Sequence, residues 1–260
     1  MEDAHFHRYD FGGVPGQSLM AIFDGHAGRQ AAQWCGDNFE SVFIELREAN
    51  PDIPIPELLN NVFVETDRRI SELYKQAGTT VVVCFLQVAE DNTRTLYTAN
   101  AGDARAVLSR DGKAARLTYD HKGDDKREAQ RIAESGGYVF NGRVNGVLAV
   151  TRALGDSTLK PYVISNPFTS ETVIGDTDDM LILACDGLWD VCSDQEAVDL
   201  VRSEMDPVKA SQVLLDYALN NESMDNITTM VFRLPQPPSS PSPVDTSSPA
   251  SLPPPASLSS

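Results

Sequence analysis

Two stretches of this 260-residue chain place a carboxylate where chemistry could be done. Residues 19–26 (LMAIFDGH) and residues 180–190 (MLILACDGLWD) are each a continuous apolar run that stops at Asp-Gly, at Asp24-Gly25 and Asp186-Gly187. A side chain at the end of a buried strand is fixed by a rigid element, and the glycine after it lets backbone or ligand come close. Asp-Gly is also a common turn dipeptide, so either segment alone says little. Together they say more, because a turn aspartate is normally flanked by polar residues. Two further acidic sites have the opposite polarity: Glu2-Asp3 precedes a strand start, and Asp225-Asn226 leads into the apolar run at 227–232. In antiparallel neighbours the end of one strand lies beside the start of the next, so Glu2, Asp3, Asp24, Asp186 and Asp225 are expected to converge at one sheet edge. So many carboxylates do not stay ionised together without cations. An oxygen-only set suits hard octahedral ions, Mg2+ or Mn2+, and no His or Cys grouping offers a zinc alternative. Two such ions bridged by one Asp would acidify a shared water and orient it for in-line attack on phosphorus, so the chemistry indicated is metal-dependent phosphoryl transfer or hydrolysis.

The elements that must hold these residues are legible in outline. Apolar residues recur at three- and four-residue spacing over 27–49 and 55–76, predicting two long helices, with Pro54 and Pro56 suited to the first turn of the second. Residues 79–89, 94–101, 104–108 and 114–117 read as an antiparallel meander whose last link is Arg-Asp-Gly. A charged helix over 124–134 ends at Gly136-Gly137, and 138–156 returns to strand and loop. Ser193 with Glu196 forms a capping box for a helix to 203, Asp206-Pro207 opens another to about 220, and 226–234 closes as a strand. Helix pairs separated by a run of strands, without regular βα alternation, predict an α+β layered sandwich.

Composition narrows the function classes. Asp and Glu number 38 against 21 Lys and Arg, a formal charge of −17 without a dense basic run, so nucleic acid is not an expected partner. The apolar runs at 79–86 and 180–185 are too short to span a bilayer, and the N-terminus lacks a basic start and apolar core of an export signal. The expectation is a soluble cytoplasmic protein, with the nucleus also open to it. Cys35, Cys84, Cys185 and Cys192 read as buried thiols of a reducing compartment. Composition divides the chain into a globular domain, 1–234, and a Pro/Ser-rich tail, 235–260, that cannot bury a core and is expected to be disordered.

In order along the chain, MEDAH (1–5), FDGHAG (23–28), GTT (78–80), AGDAR (101–105), DHK (120–122), RVNGVLAVTRALGD (143–156), ACDGLWD (184–190) and DNIT (225–228) resemble the motifs of the metal-dependent protein phosphatases of the 2C (PPM) family. The likeness covers nearly all of 1–234. The text around Asp24 is most similar to small fungal members acting on stress MAP-kinase pathways. The resemblance implies a four-layer αββα sandwich, two antiparallel sheets flanked by helix pairs, and hydrolysis of phosphoserine and phosphothreonine without a covalent intermediate. It implies two Mg2+ or Mn2+ ions. Asp24 would bridge them, Glu2 and the Gly25 carbonyl would serve one, Asp186 and Asp225 the other, and Asp3 would orient a metal-bound water. Asp103, with Asp186 and Asp190, matches a weaker third site, and His26 matches the proposed general acid. The implied partners are phosphorylated proteins, MAP kinases among them, met by a monomer.

Lys122 and His121 read as structural partners, Asp120 and Asp156 as cap or turn residues, and Trp189 as core. The chain begins one residue ahead of Glu2, where family members carry further strand and a phosphate-clamping arginine, so a truncated N-terminal strand is expected. On that ground a catalytically weakened, phosphatase-like binding module is the alternative to an enzyme. Chemistries needing a Cys-x5-Arg nucleophile or a Gly-x4-Gly-Lys-Ser/Thr loop find no such motif.

Overall fold

The computed structural model describes residues 1–234; the proposed tail lies outside the described residues. The chain runs through β1 (Ala4–Tyr9), β2 (Ser18–His26), α1 (Gln30–Ala49), α2 (Ile55–Leu73), β3 (Gly78–Val88), β4 (Arg94–Ala101), β5 (Arg105–Arg110) and β6 (Lys113–Arg116). It continues through α3 (Lys126–Glu134), β7 (Val139–Phe140), β8 (Arg143–Val144), β9 (Leu154–Gly155) and β10 (Phe168–Val173). The last elements are β11 (Asp178–Ala184), α4 (Asp186–Trp189), α5 (Asp194–Val201), α6 (Pro207–Asn220) and β12 (Thr229–Arg233).

Two large antiparallel sheets result, besides the two-stranded ribbon of β7 and β8. One has the order β1-β2-β3-β4-β10 with β9 beside the start of β3; the other is β12-β11-β5-β6. Period-two alternation explains why the central strands look uniformly apolar: both of their faces are buried. From the first sheet, Leu19, Ala21, Phe23, Val81, Val83 and Phe85 pack with Phe39, Val42 and Phe43 of α1 and Leu59, Val62 and Phe63 of α2. The intervening Met20, Ile22, Val82, Cys84 and Leu86 meet Ala106, Leu108, Leu181, Leu183 and Phe232 of the second sheet. Met180, Ile182, Ala184 and Val231, on the far face of that sheet, pack with Val198 and Val201 of α5 and Ala210 and Leu214 of α6. Three apolar layers between four structural layers make the expected αββα sandwich.

The helix signals act as read, with shifted ends. Ser193 and Glu196 form the capping box of α5, Asp206 accepts from Val208 N–H at 2.9 Å ahead of Pro207, and Asp125 caps α3. Helix α1 begins at Gln30 rather than Ala27, because Ala27 (φ +55°) and Gly28 (φ +116°) turn the chain out of β2. Strand β2 continues through Asp24 to His26 instead of stopping at Asp-Gly, pairing Asp24 with Thr80 and His26 with Gly78. The polar, half-exposed edge strand β10 carries little alternation, and sequence reading passes over it.

A small lobe stands apart. Helix α3, β7, β8 and the chain to Val163 enclose Ile132, Val144, Val150, Ala153 and Val163. Glu128, 3% exposed, ties this lobe together through Arg152 at 2.6 Å, Arg131 at 3.0 Å and the Thr151 hydroxyl at 2.9 Å.

Candidate metal centre and active site

Strand register brings the acidic residues together. Ala4 pairs with Phe23, so Asp3 and Glu2 run on beside Asp24 and Gly25. In the second sheet Ala184 pairs with Thr229, and Cys185 N–H donates to Thr228 O at 3.2 Å, which sets Asp186 beside the segment led by Asp225. Polar bonds stitch the two sheets at this end: Thr228 Oγ1 donates to Asp3 Oδ2 at 2.6 Å, and Glu2 N–H donates to Asn226 Oδ1 at 2.5 Å. Gly25 is required by close approach, since a Cβ there would stand 2.5 Å from Glu2 O.

Asp186 opens the one-turn helix α4, and Asp190 follows it, its N–H bonded to Asp186 O at 2.8 Å. Trp189 belongs to the core, its indole N–H donating to Ala184 O at 2.9 Å. Arg105 lies 4.9 Å over that ring and bonds both Asp120, at 2.6 Å, and Asp194, at 2.5 Å. Asp120 is thus an ion-pair partner, not a helix cap. Buried His121, pushed down to about 4 chiefly by burial, packs against the Gly102 backbone, consistent with a structural part.

The carboxylates repel one another in a poorly solvated place. Burial first, then Asp186, Asp3, Asp103 and Asp225, pushes Asp24 far above the ordinary carboxylate range. Burial first, then Asp103, Asp190 and Asp225, raises Asp186 to about 7. Asp3 and Asp103 are raised mainly by burial. Asp3 Oδ1 and Asp103 Oδ1 are buried without a hydrogen-bond partner. Unsatisfied oxygens, mutual repulsion and hard donors are what a divalent cation would relieve, so the residues fit Mg2+ or Mn2+.

Asp24 and Asp186 have ligand atoms within 4.8 Å of each other and of Cys185 Sγ. The thiol backs the strand junction: it accepts from Thr228 N–H at 3.1 Å, donates to Asn226 O at 3.3 Å, and burial holds it well above its usual range. Asp3, Asp103 and Asp225 face the pair electrostatically. Glu2 is placed through its backbone, and Asp190 stands at the rim, its side chain 61% exposed. Lys122, read from sequence only as a structural partner, lies 3.3 Å from Asp103 and 3.1 Å from Asp190, an internal cation between them.

Sequence reasoning missed Asp156. Its carboxylate, 3% exposed as a residue, lies 2.8 Å from His26 Nε2 and makes no cap bond to the turn after it. The only sequence signal was its place at the end of the ALGD run.

This fold and site define a metal-dependent phosphoester hydrolase. Residues 1–227 match the family model for protein phosphatase 2C, and the chain belongs to that family of metal-dependent protein serine/threonine phosphatases. It is 48% identical over 242 residues to "Protein phosphatase 2C homolog 1" of Schizosaccharomyces pombe, covering 92% of this chain and 70% of the relative. Identity to the Saccharomyces cerevisiae protein of the same description is 42% over 244 residues, 89% of this chain and 87% of that one. Among solved structures it resembles a Caenorhabditis elegans sex determining protein, with TM-score 0.81 and 28% identity over 90% of this chain and 62% of that one. A serine-threonine phosphatase 2C from Toxoplasma gondii shares the fold, with TM-score 0.77, 22% identity and 90% coverage of each chain. No helix among the described residues is long and apolar enough to cross a membrane.

Proposed function

We propose that this protein hydrolyses phosphoserine and phosphothreonine at a centre of two Mg2+ or Mn2+ ions, with His26 donating a proton to the leaving side chain. The observation that carries the reading is the gathering of Asp24, Asp186, Asp3, Asp103 and Asp225 at one end of both sheets. Asp24, central among them, would reach both ions. Glu2 and the Gly25 carbonyl would serve one, and Asp186 and Asp225 the other. Asp3, braced by Thr228, would orient water. Asp103, Asp186 and Asp190 would hold a weaker third ion, for which Lys122 must move aside. When bound, the ions supply an acidified water and offset charge on the phosphoryl oxygens. Asp156 engages Nε2 of His26, which leaves Nδ1 to carry the proton to the departing oxygen. Similarity around Asp24 to fungal members of stress pathways supports phosphorylated MAP kinases as substrates, met by a monomer in the cytoplasm and nucleus.

The test is phosphate release from a phosphothreonine peptide with and without Mn2+. Metal-dependent turnover, abolished in Asp24→Ala and Asp186→Ala, is expected. A folded sample without turnover at millimolar Mn2+ would instead favour the phosphatase-like binding module.

A further inference from the structure

One carboxylate beside this machinery has no part in the metal centre. Asp67, on α2, accepts a hydrogen bond through Oδ1 from the backbone N–H of Gly155 at 2.7 Å, and its Oδ2 lies 3.1 Å from Lys160 Nζ. Its side chain is only 15% exposed. What it grips is unusual backbone. Gly155 (φ +85°) and Asp156 (φ +50°) are consecutive residues in the left-handed region, which glycine adopts freely and aspartate more readily than most residues with a side chain.

On its C-terminal side the kink is closed by Leu159 N–H, which donates to Asp156 O at 2.8 Å; on its N-terminal side the bonds are fewer. Asp156 makes no side-chain cap bond to the turn at Ser157–Leu159, and its own N–H reaches Ala77 O at a long 3.3 Å. Gly155 pairs with Gly78 at the end of a two-residue strand. The short bond from α2 ties the amide of the residue that precedes Asp156 to a helix of the main domain. Asp156 in turn is the partner that orients His26, at 2.8 Å.

We propose that Asp67 is a positioning residue for proton transfer: by holding the Gly155 amide it fixes the kink at Asp156 and, through Asp156, the ring of His26. The inference rests on His26 being the proton donor. In the step served, water adds to phosphorus and the P–O bond to the threonine side chain breaks. The bonding pair stays on the threonine oxygen, which takes the proton from His26.

The experiment uses the full chain with Mn2+ and two substrates: a phosphothreonine peptide, whose alkoxide must be protonated, and p-nitrophenyl phosphate, whose phenolate leaves without a proton. Asp67→Ala is expected to lower kcat on the peptide at least about tenfold with KM unchanged, and on the aryl ester by less than about threefold, since an acid contributes only where the leaving group needs it. Asp67→Asn, which keeps the acceptor oxygen, should recover the peptide rate to within about threefold of wild type, the tether being a single hydrogen bond. Equal losses on both substrates, no loss on either, or an Asn variant as impaired as the Ala variant would overturn the proposal. Should Asp67→Ala fail to fold, Asp67→Glu keeps the charge and lengthens the reach by one methylene. It should show the same selective loss, and wild-type behaviour on both substrates would overturn the proposal. His26→Gln separates the two readings. If it is selective for the peptide while the Asp67 variants are not, only the positioning role fails. If it is not selective, the proton-donor assignment fails and the positioning role falls with it.

Discussion

His26 Nε2 and Asp156 Oδ2 lie 2.8 Å apart although 130 residues separate them in the chain. Gly78, paired with His26 in one ladder and with Gly155 in the other, sits against both side chains. A Cβ at Gly78 would overlap the Asp156 carboxylate and the His26 ring. Gly78→Ala is therefore expected to part the pair while leaving the sheet intact. The loss of kcat on a phosphothreonine peptide should approach the roughly 10²-fold or more that a positioned acid contributes. Circular dichroism would check the fold and steady-state kinetics the rate; a variant with unchanged kcat would show that the pair is not needed.

Stability of the metal-free protein should fall as pH rises through neutrality. Asp186 is raised to about 7, and Asp24, Asp3 and Asp103 are also raised, from an ordinary value of 3.8. Between that value and the raised ones the folded chain holds more protons than the unfolded chain, so the slope of stability against pH is negative in that window. Glu128 acts oppositely on the acid side. Burial pushes it up, but hydrogen bonds and charge from Arg152 and Arg131 outweigh that and hold it at about 2, so its contribution is present above 4.5 and lost as pH falls toward 2. Thermal unfolding in a chelator should give the highest Tm on the acidic side of neutrality. Saturating Mg2+ should raise Tm most at alkaline pH, where the carboxylates are ionised and the ligand binds the folded state. A Tm that rises with pH in chelator would contradict the clustered repulsion.

Asp24→Asn removes a carboxyl whose ionised form burial and neighbouring aspartates disfavour, while keeping size and shape. Without metal the variant should be more stable than wild type, by about 2–4 °C in Tm for each kcal/mol relieved in a domain of this size. It should also lose metal-dependent turnover. A gain in stability coupled to a loss of function is the expected mark of a site held under electrostatic strain. A lower Tm in chelator would mean that Asp24 is held by favourable contacts instead.

Glu128 is the keystone of the small lobe. Glu128→Ala leaves Arg152 and Arg131 without their buried partner, a change that costs about 3–5 kcal/mol when a buried ion pair is broken. Residues 150–156 connect this lobe to Asp156, so peptide turnover should fall with stability. Urea unfolding with an unchanged midpoint would show that the lobe does not unfold with the domain.

Much of this protein was legible in the chain order. Apolar runs at 79–86 and 180–185 marked central strands because sheets buried on both faces must be apolar throughout. Ser193, Glu196 and Asp206-Pro207 marked helix starts because caps are local interactions. Polarity set Asp3 beside Asp24 and Asp186 beside Asp225, since antiparallel strands bring ends beside starts, but these pairs lie in different sheets, so the packing of one sheet on the other joins them where a single sheet edge was expected. What local sequence could not contain was the pairing of residues across distant elements. Asp156 and Asp120 looked like cap or turn residues, and Lys122 like a structural partner with no mate assigned. Their roles depend on which side chain the fold sets opposite each: His26, Arg105, and the Asp103 and Asp190 pair. The sequence by itself determined the layers and the supply of carboxylates, because patterning and capping act over a few residues. Only the tertiary structure decided how those carboxylates are braced and which partner orients the histidine, because hydrogen bonds and repulsion at a few ångströms are set by packing between elements far apart in the chain.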